Sequence, residues 1–313
     1  MPLEMIGVSL SGSFPQGIPA IAQMLDHVRR VERLGFDAIW SGDHIIMHSP
    51  ILDVMTVLAT YAAITERVKI GTAVYLMPLR HPVATAKQVA SLDLLSQGRF
   101  IFGVGVGGEI VREFEAVNVP VRQRGRRMDE GLEIITRVLS ESNVTFAGKH
   151  YQLHNVTLEP RPLQQPYPPI WVGGRSDAAI RRAARYGQGW LGYLVSSQRL
   201  QEAMHKMQEW APTYGRNAAE IRGGMLLFTA LAKDYETAKQ MAITHLSRRY
   251  NQPFDTLVDR YCAMGTPEQC LEKISAYVEA GMTNLAFSFT CPAAQMGDHI
   301  EQCAAELLPR LRA

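Results

Sequence analysis

Cysteine, long apolar runs and an excess of charge of one sign are all scarce in this sequence. Its 32 basic and 30 acidic residues leave a formal net charge of +2 at pH 7. Such a balance predicts neither a nucleic-acid partner nor attraction to an acidic membrane. No run approaches the roughly 18 apolar residues of a membrane span, and the N-terminal residues lack the basic region and apolar core of a signal peptide. We therefore expect a cytoplasmic protein.

The few cysteines exclude two further classes. The chain has 4 of them in 313 residues, namely Cys262, Cys270, Cys291 and Cys303. They form no C-x-x-C pair and have no histidines at zinc-ligand spacing, so we predict no metal site and no disulfide scaffold. Reduced, buried thiols are the expectation. A phosphate-binding P-loop and a serine nucleophile elbow are also absent from the sequence, so neither phosphoryl transfer nor triad hydrolysis is supported.

What the sequence does contain is a regular alternation of short apolar runs with segments of helical spacing. The eight runs predicted to be strands are Met5–Leu10, Phe36–Trp40, Val68–Val74, Phe100–Val106, Ile170–Val172, Trp190–Tyr193, Arg222–Ala232 and Asn284–Phe289. Alternating strands and helices favour a parallel sheet, and eight units in a chain of this length favour a closed (β/α)8 TIM barrel with loop insertions. A long Pro-rich stretch at 143–168 is the largest insertion. We expect one domain over residues 1–313.

The active site of such a barrel lies at the C-terminal ends of its strands, and this rule selects the first candidates. His44 follows the second strand, where its imidazole could exchange protons near neutral pH. The neighbouring Asp43 could orient His44 or bind a cofactor hydroxyl. After the third strand, the small residues of Gly71–Val74 would let a flat ring approach the backbone.

A glycine run follows the fourth strand. Residues 103–108 match the dinucleotide pattern G-x-G-x-x-G, but the match lies on the fourth strand and precedes no long helix. We therefore interpret it as a strand end whose glycine turn, with Gly107 and Gly108, brings backbone close to a ligand. Glu109 would then stand at the barrel mouth as a second titratable group.

The segment Gly173-Gly174-Arg175-Ser176 lies between the fifth strand and a helix predicted to begin at Asp177. The unpaired N–H groups at the start of a helix bind phosphate well, and the arginine and the hydroxyl add donors. An ordinary turn capped by Ser176 or Asp177 is the alternative, and the two interpretations are compatible.

A basic run occupies the start of another predicted helix, with Arg122, Arg124, Arg126 and Arg127. These side chains could face a phosphate or an acidic tail. A solvent-exposed helix start is the more common meaning of such a run, and we prefer that interpretation here.

Several of these segments, in this order, resemble the luciferase-like family of flavin-dependent oxidoreductases, which includes bacterial luciferase relatives and enzymes that use coenzyme F420. The segments are GFDAIWSGDHI at 35–45, VKIGTAVYLMPLRHPVATAKQVASLDLLSQGRFIFGVGVGGE at 68–109, RGRRMDEG at 124–131 and PYPPIWVGGRSDAAIRRAARYGQGW at 166–190. The resemblance covers roughly residues 3–292, and the sequences of these segments are most similar to those of the F420-dependent branch.

The resemblance implies a TIM barrel with the ring of F420 or FMN at its mouth. It implies a cis peptide bond between Ala73 and Val74 beside that ring, and His44 as the active-site histidine. Asp43, Gly107 and Gly108 would contact the cofactor, with Glu109 as a proton acceptor. Gly173, Gly174 and Ser176 would hold its phosphate, and we add Arg175. Arg112 departs from the polar amide that some F420 enzymes carry at this position.

Two redox reactions and one non-redox function follow from these observations. With F420, a hydride would pass directly between the cofactor and a small organic substrate. With FMN, a flavin reductase would supply reduced flavin for oxygenation of the substrate by O2. The alternative is a barrel that binds a phosphorylated sugar or cofactor without redox work, such as an isomerase or a flavin-binding module. The family resemblance also implies a homodimer.

Overall fold

The fold is described from a computed structural model, which places residues 3–10, 14, 17 and 20–313. Twelve β-strands lie within this part of the chain. They are β1 (Met5–Ser9), β2 (Ala38–Ser41), β3 (Lys69–Thr72), β4 (Tyr75–Leu76), β5 (Phe100–Gly105), β6 (Val144–Ala147), β7 (Gln152–Val156), β8 (Ile170–Gly173), β9 (Gly189–Tyr193), β10 (Arg222–Leu231), β11 (Ala263–Gly265) and β12 (Asn284–Phe289).

The α-helices alternate with these strands along the chain. They are α1 (Ile21–Arg33), α2 (Val54–Ala63), α3 (Pro82–Leu95), α4 (Val111–Ala116), α5 (Arg124–Ser140), α6 (Asp177–Tyr186), α7 (Ser197–Trp210), α8 (Tyr235–Tyr250), α9 (Val258–Tyr261), α10 (Pro267–Glu279), α11 (Met296–Gln302) and α12 (Leu308–Arg312). A short π-helical segment, Cys303–Leu307, joins the last two.

Eight of the strands close into a parallel barrel. Their order is β1, β2, β3, β5, β8, β9, β10 and β12, and β12 pairs in parallel with β1. The parallel pairing of β9 with β10 completes the closed ring of strands. Because all eight strands run in the same direction, their C-terminal ends meet at one face of the barrel. The predicted (β/α)8 fold is therefore confirmed.

Two apolar cores stabilise the barrel. The inner one fills the space between the strands and contains Trp40 and Trp171, whose ring centroids lie 5.7 Å apart. The outer one lies between the strands and the surrounding helices and includes Val8, Ile39 and Phe102. Alternate residues along a strand face these two cores, which is why the strands read as nearly continuous apolar runs in the sequence.

Most predicted elements occur within a residue or two of their expected bounds. One difference bears on the site, since the predicted strand Val68–Val74 ends at Thr72 and resumes as β4 after a cis peptide bond between Ala73 and Val74. β4 then pairs with β5. The sequence signal was continuous here because both pieces are apolar. Apolar residues at helical spacing also predict the first helix over Ile18–Leu34, and the start of that range lies outside the described residues.

The largest insertion is the Pro-rich stretch that connects the end of α5 to the start of β8. It contains a two-stranded antiparallel sheet formed by β6 and β7. The short β11, which was not predicted, pairs with the last residues of β10. Within the described ranges of the chain, no helix is both long enough and apolar enough to cross a membrane.

Candidate active site

A cavity of about 420 Å³ opens at the C-terminal ends of the barrel strands. Every predicted site residue lines it. These residues are Asp43, His44, Ala73, Val74, Gly107, Gly108, Glu109, Gly173, Gly174, Arg175 and Ser176. The barrel thus brings together side chains and backbone from the ends of β2, β3, β5 and β8. The geometry shows which groups meet, while their chemical roles remain predictions.

His44 lies at the mouth with a carboxylate behind it. Its Nδ1 is 3.2 Å from both carboxylate oxygens of Glu113, a residue of α4. The Glu113 side chain is 0% exposed, and it also accepts a hydrogen bond from the backbone N–H of Ile45 at 3.2 Å. The imidazole is therefore held at one nitrogen, and its other nitrogen remains for a bound molecule.

Asp43 is completely buried and already has partners. Its Oδ1 accepts a hydrogen bond from Arg80 Nη2 at 2.9 Å, its Oδ2 accepts one from Leu76 N at 2.9 Å, and Arg80 Nη1 contacts Oδ2 as well. Burial raises the pKa of Asp43, and the Arg80 guanidinium opposes this rise. Arg80 also lies over the Tyr75 ring, 4.5 Å from its centroid. The carboxylate thus ties the end of β2 to β4.

The backbone between β3 and β4 enters the cavity through Ala73 and Val74. A Cβ atom at Gly105 would lie 2.5 Å from Val74 Cγ2, and one at Gly173 would lie 2.7 Å from Val74 Cγ1. Both positions must therefore lack a side chain for Val74 to fit. These two glycines make room for the protein's own Val74, a role that the sequence did not reveal.

Glu109 lies on the more exposed side of the mouth. Its Oε1 accepts a hydrogen bond from the Tyr193 hydroxyl at 2.8 Å and lies 3.8 Å from Arg175 Nη2. The guanidinium of Arg175 is 5.5 Å from the centroid of the Tyr193 ring. Burial raises the pKa of Tyr193, and the nearby Tyr250 and Glu109 add to this effect, so the phenol is a neutral donor.

The segment before α6 has the features of an anion site. Ser176 is the N-cap, and its Oγ accepts a hydrogen bond from Ala179 N at 3.3 Å. The first N–H groups of a helix lack intrahelical partners, and Ser176 and Ala179 at the start of α6 line the cavity. Gly174 has φ of +131°, a backbone conformation that a side chain would disfavour. The capping and phosphate interpretations are both compatible with this geometry.

Arg124 corrects the interpretation of the basic run. It lines the cavity, so it is not simply part of a solvated helix start. Its Nη1 donates to Val121 O at 3.0 Å, and a Cβ at Gly108 would lie 2.8 Å from its Nε. The run as a whole could not reveal this, because the direction of each arginine depends on how α5 packs.

Four further residues belong to the site and were not predicted from the sequence, namely Arg80, Glu113, Tyr193 and Tyr250. No local pattern marks Glu113, since it lies within an acidic, polar segment that looks solvent-exposed. Tyr193 at the end of the sixth strand could have been found by the same strand-end rule that selected His44.

A second cavity, of about 540 Å³, lies between α1 and α8. Its lining is mainly apolar and contains none of the predicted site residues. His245 is one of its polar groups, and burial lowers the pKa of that imidazole to about 4. The predicted catalytic and cofactor-binding residues lie instead at the cavity formed by the strand ends.

The fold and this cavity define a class, the (β/α)8-barrel enzymes with an active site at the strand ends. A sequence model of the family described as luciferase-like monooxygenase matches residues 5–284. An F420-dependent glucose-6-phosphate dehydrogenase of Kineococcus radiotolerans is 28% identical to this chain, and the match covers 94% of each chain.

Solved structures of other proteins share this fold. The monooxygenase RslO1 from Streptomyces bottropensis has a TM-score of 0.84 and 26% identity, covering 98% of this chain and 99% of that one. An F420-dependent secondary alcohol dehydrogenase in complex with an F420-acetone adduct has a TM-score of 0.86 at 20% identity, with full coverage of both chains, and shares the fold.

This chain belongs to the luciferase-like monooxygenase family. It is accordingly an oxidoreductase, and the predictions of family and enzyme class are confirmed. Membership of this family favours the redox enzyme over the non-redox barrel.

Proposed function

We propose that this protein catalyses F420-dependent hydride transfer to or from a small organic substrate. The observation that carries the proposal is the convergence of the predicted ring, phosphate and proton-transfer residues on one strand-end cavity. The relative from Kineococcus radiotolerans, matched over 94% of both chains, is named for F420 and supports this choice.

The donor set suits the phosphate of such a cofactor. The start of α6 offers backbone N–H groups, and Ser176 adds a hydroxyl. Arg124 and Arg175 bring positive charge to the same cavity, and the only carboxylates among its lining residues are Asp43 and Glu109. The charge of Asp43 is compensated by Arg80, so the remaining charges at the mouth favour binding of an anion.

The ring would be held by the small residues on the other wall. Ala73, Val74, Gly107 and Gly108 would lie beside it, with no bulky side chain to exclude a flat molecule. When bound, F420 or FMN supplies the redox centre that accepts or donates the hydride.

The protein's own contribution is proton handling and exclusion of water. His44 would donate or accept a proton through the nitrogen that Glu113 leaves unoccupied. Glu109, with Tyr193 as its hydrogen-bond donor, would be the second proton-transfer group. Met47, Ile51 and Leu226 supply apolar wall that limits the entry of water.

FMN-dependent monooxygenation is the second candidate. It is favoured by the 26% identity to a monooxygenase that covers 98% of this chain. The same phosphate and ring residues would serve FMN, and a flavin reductase would then be a partner. We also propose a homodimer, as the family resemblance implied.

A two-cofactor titration tests the proposal. The purified protein is titrated with F420 and separately with FMN, and binding is followed by the change in cofactor fluorescence. We expect F420 to bind with a Kd below about 100 μM and more tightly than FMN. Tighter binding of FMN would select the monooxygenase, and failure of both would refute a redox role. Reduction of F420 is then assayed with glucose 6-phosphate and with isopropanol as first probes.

A further inference from the structure

Glu113 is a buried carboxylate, and among the described residues its side-chain hydrogen-bond partner is the imidazole of His44. It lies in the short helix α4, behind the cavity wall, and it is not among the residues that line the cavity. A buried carboxylate is costly unless hydrogen bonds compensate its desolvation. Its position is therefore explained by what it does to His44 and not by contact with a bound molecule.

The contact geometry identifies the donor. Nδ1 of His44 is equidistant, at 3.2 Å, from both oxygens of Glu113. An N–H that points between two acceptor oxygens gives this arrangement, whereas a protonated carboxyl would direct a single O–H from one oxygen. The N–H of Ile45 is a second donor to the same group, at 3.2 Å from Oε2. Two donors converging on it match an ionised, acceptor-only carboxylate.

We propose that Glu113 is a positioning residue that keeps the proton of neutral His44 on Nδ1 and so presents Nε2 to the cavity as the proton-exchanging nitrogen. The tautomer of a histidine is set by the hydrogen bond that its other nitrogen makes. The role of Nε2 in turnover rests on the proposed function, while the tautomer itself does not.

Two other histidines, the half-buried His245 and the buried His299, have no carboxylate at Nδ1. Nδ1 of His245 lies 3.1 Å from Cys291 O, and Nδ1 of His299 lies 3.0 Å from Gln295 O. Both contacts use a neutral backbone carbonyl, whereas His44 contacts a side-chain carboxylate at the mouth of the cavity.

The test is 15N NMR of the full-length protein labelled at its histidine rings, without cofactor. The His44 signals are assigned by their loss in His44→Gln, and spectra are recorded in buffer alkaline enough for the ring to be neutral. We expect wild-type His44 to show the Nδ1–H pattern. A predominantly Nε2–H pattern in the wild type would overturn the proposal, whether or not the Glu113 variant folds.

Glu113→Gln is the matched variant, and Glu115→Gln is its control on the same helix, where Glu115 is exposed. We expect Glu113→Gln to shift His44 toward Nε2–H or a mixture, and Glu115→Gln to leave the wild-type pattern. A glutamine amide oxygen can still accept from Nδ1–H, so Glu113→Met, which removes both acceptor oxygens, is the deciding variant. An unchanged tautomer in the folded Glu113→Met protein would also overturn the proposal.

A kinetic readout separates this inference from the proposed function. With the substrate selected by the F420 assay, Glu113→Gln should lower kcat roughly 10- to 100-fold and change KM less than about three-fold. A kcat within two-fold of wild type would refute the positioning role. If neither cofactor binds the wild type, the proposed function fails, yet the NMR result still decides the tautomer.

Discussion

Glu113 and Glu109 are close in sequence, on either side of the start of α4, and their side chains are held in opposite ways. The Glu113 side chain is 0% exposed and contacts His44, whereas that of Glu109 is 48% exposed and contacts Tyr193 and Arg175. Other charged residues at the cavity mouth also fall into a buried group and an exposed group. Asp43 and Arg80 form an enclosed pair on the His44 side, which we call the buried wall, while Glu109 and Arg175 form the exposed rim.

The buried wall and the exposed rim differ in how much stability is lost when a carboxylate loses its partner. A buried ion whose partner is removed keeps its desolvation penalty without compensation, whereas an exposed one is re-solvated by water. We therefore expect the buried wall to fix geometry that the fold depends on. The rim should adapt to the bound molecule at little cost in stability.

The largest expected effect is on stability, in the buried wall. Arg80→Met would leave Asp43 buried without its guanidinium, and we expect the free energy of unfolding to fall by about 3 kcal/mol or more. Urea denaturation followed by circular dichroism measures this. Arg175→Met makes the same change at the exposed rim and should cost less than about 1 kcal/mol. Equal losses for the two variants would remove the distinction between wall and rim.

His44→Ala should have the next largest effect, and on turnover. Loss of a positioned proton donor or acceptor should lower kcat by about 100-fold or more, equivalent to roughly 2.7 kcal/mol in the barrier. The Kd for the cofactor should stay within about three-fold of wild type, because Asp43 is held by Arg80 and Leu76 and the other predicted cofactor contacts lie on other segments. Steady-state kinetics and the cofactor titration check the two parts. Unchanged turnover would exclude His44 from the mechanism.

Ser176→Ala tests the phosphate end, with a smaller expected effect. We expect binding of a phosphorylated cofactor to weaken by about 1 kcal/mol, or roughly five-fold, through loss of one hydrogen bond. Paired titrations with FMN and riboflavin measure this. Ser196→Ala is the control, because Ser196 caps α7 in the same way but does not line the cavity. An equal loss of affinity for riboflavin would contradict a phosphate contact.

The smallest expected stability effect belongs to Glu109→Gln. The Glu109 side chain is 48% exposed, so the free energy of unfolding should change by less than about 0.5–1 kcal/mol, and turnover should fall if Glu109 transfers protons. Tyr193→Phe, which removes the hydroxyl that donates to Glu109, is the companion variant. A stability loss above about 2 kcal/mol in Glu109→Gln would place this carboxylate with the buried wall.

The sequence was sufficient for the fold and for the location of the mouth. The strand runs and the helix that begins at Asp177 were predictable because side-chain periodicity is a local property of the chain. His44, Glu109 and the glycines at 173–174 were selected because the strand ends of a parallel barrel share one face. The break between β3 and β4 escaped prediction, since apolar residues continue through it.

Sequence alone thus determined a (β/α)8 barrel of this family and the residues at its C-terminal face. Only the tertiary structure decided how those residues are paired: His44 with Glu113, Asp43 with Arg80, and Glu109 with Tyr193. Each pair joins segments that are far apart along the chain and that meet only when the barrel closes. Burial, which separates Glu113 from Glu109, is likewise a property of packing, because the two glutamates are chemically identical in the sequence.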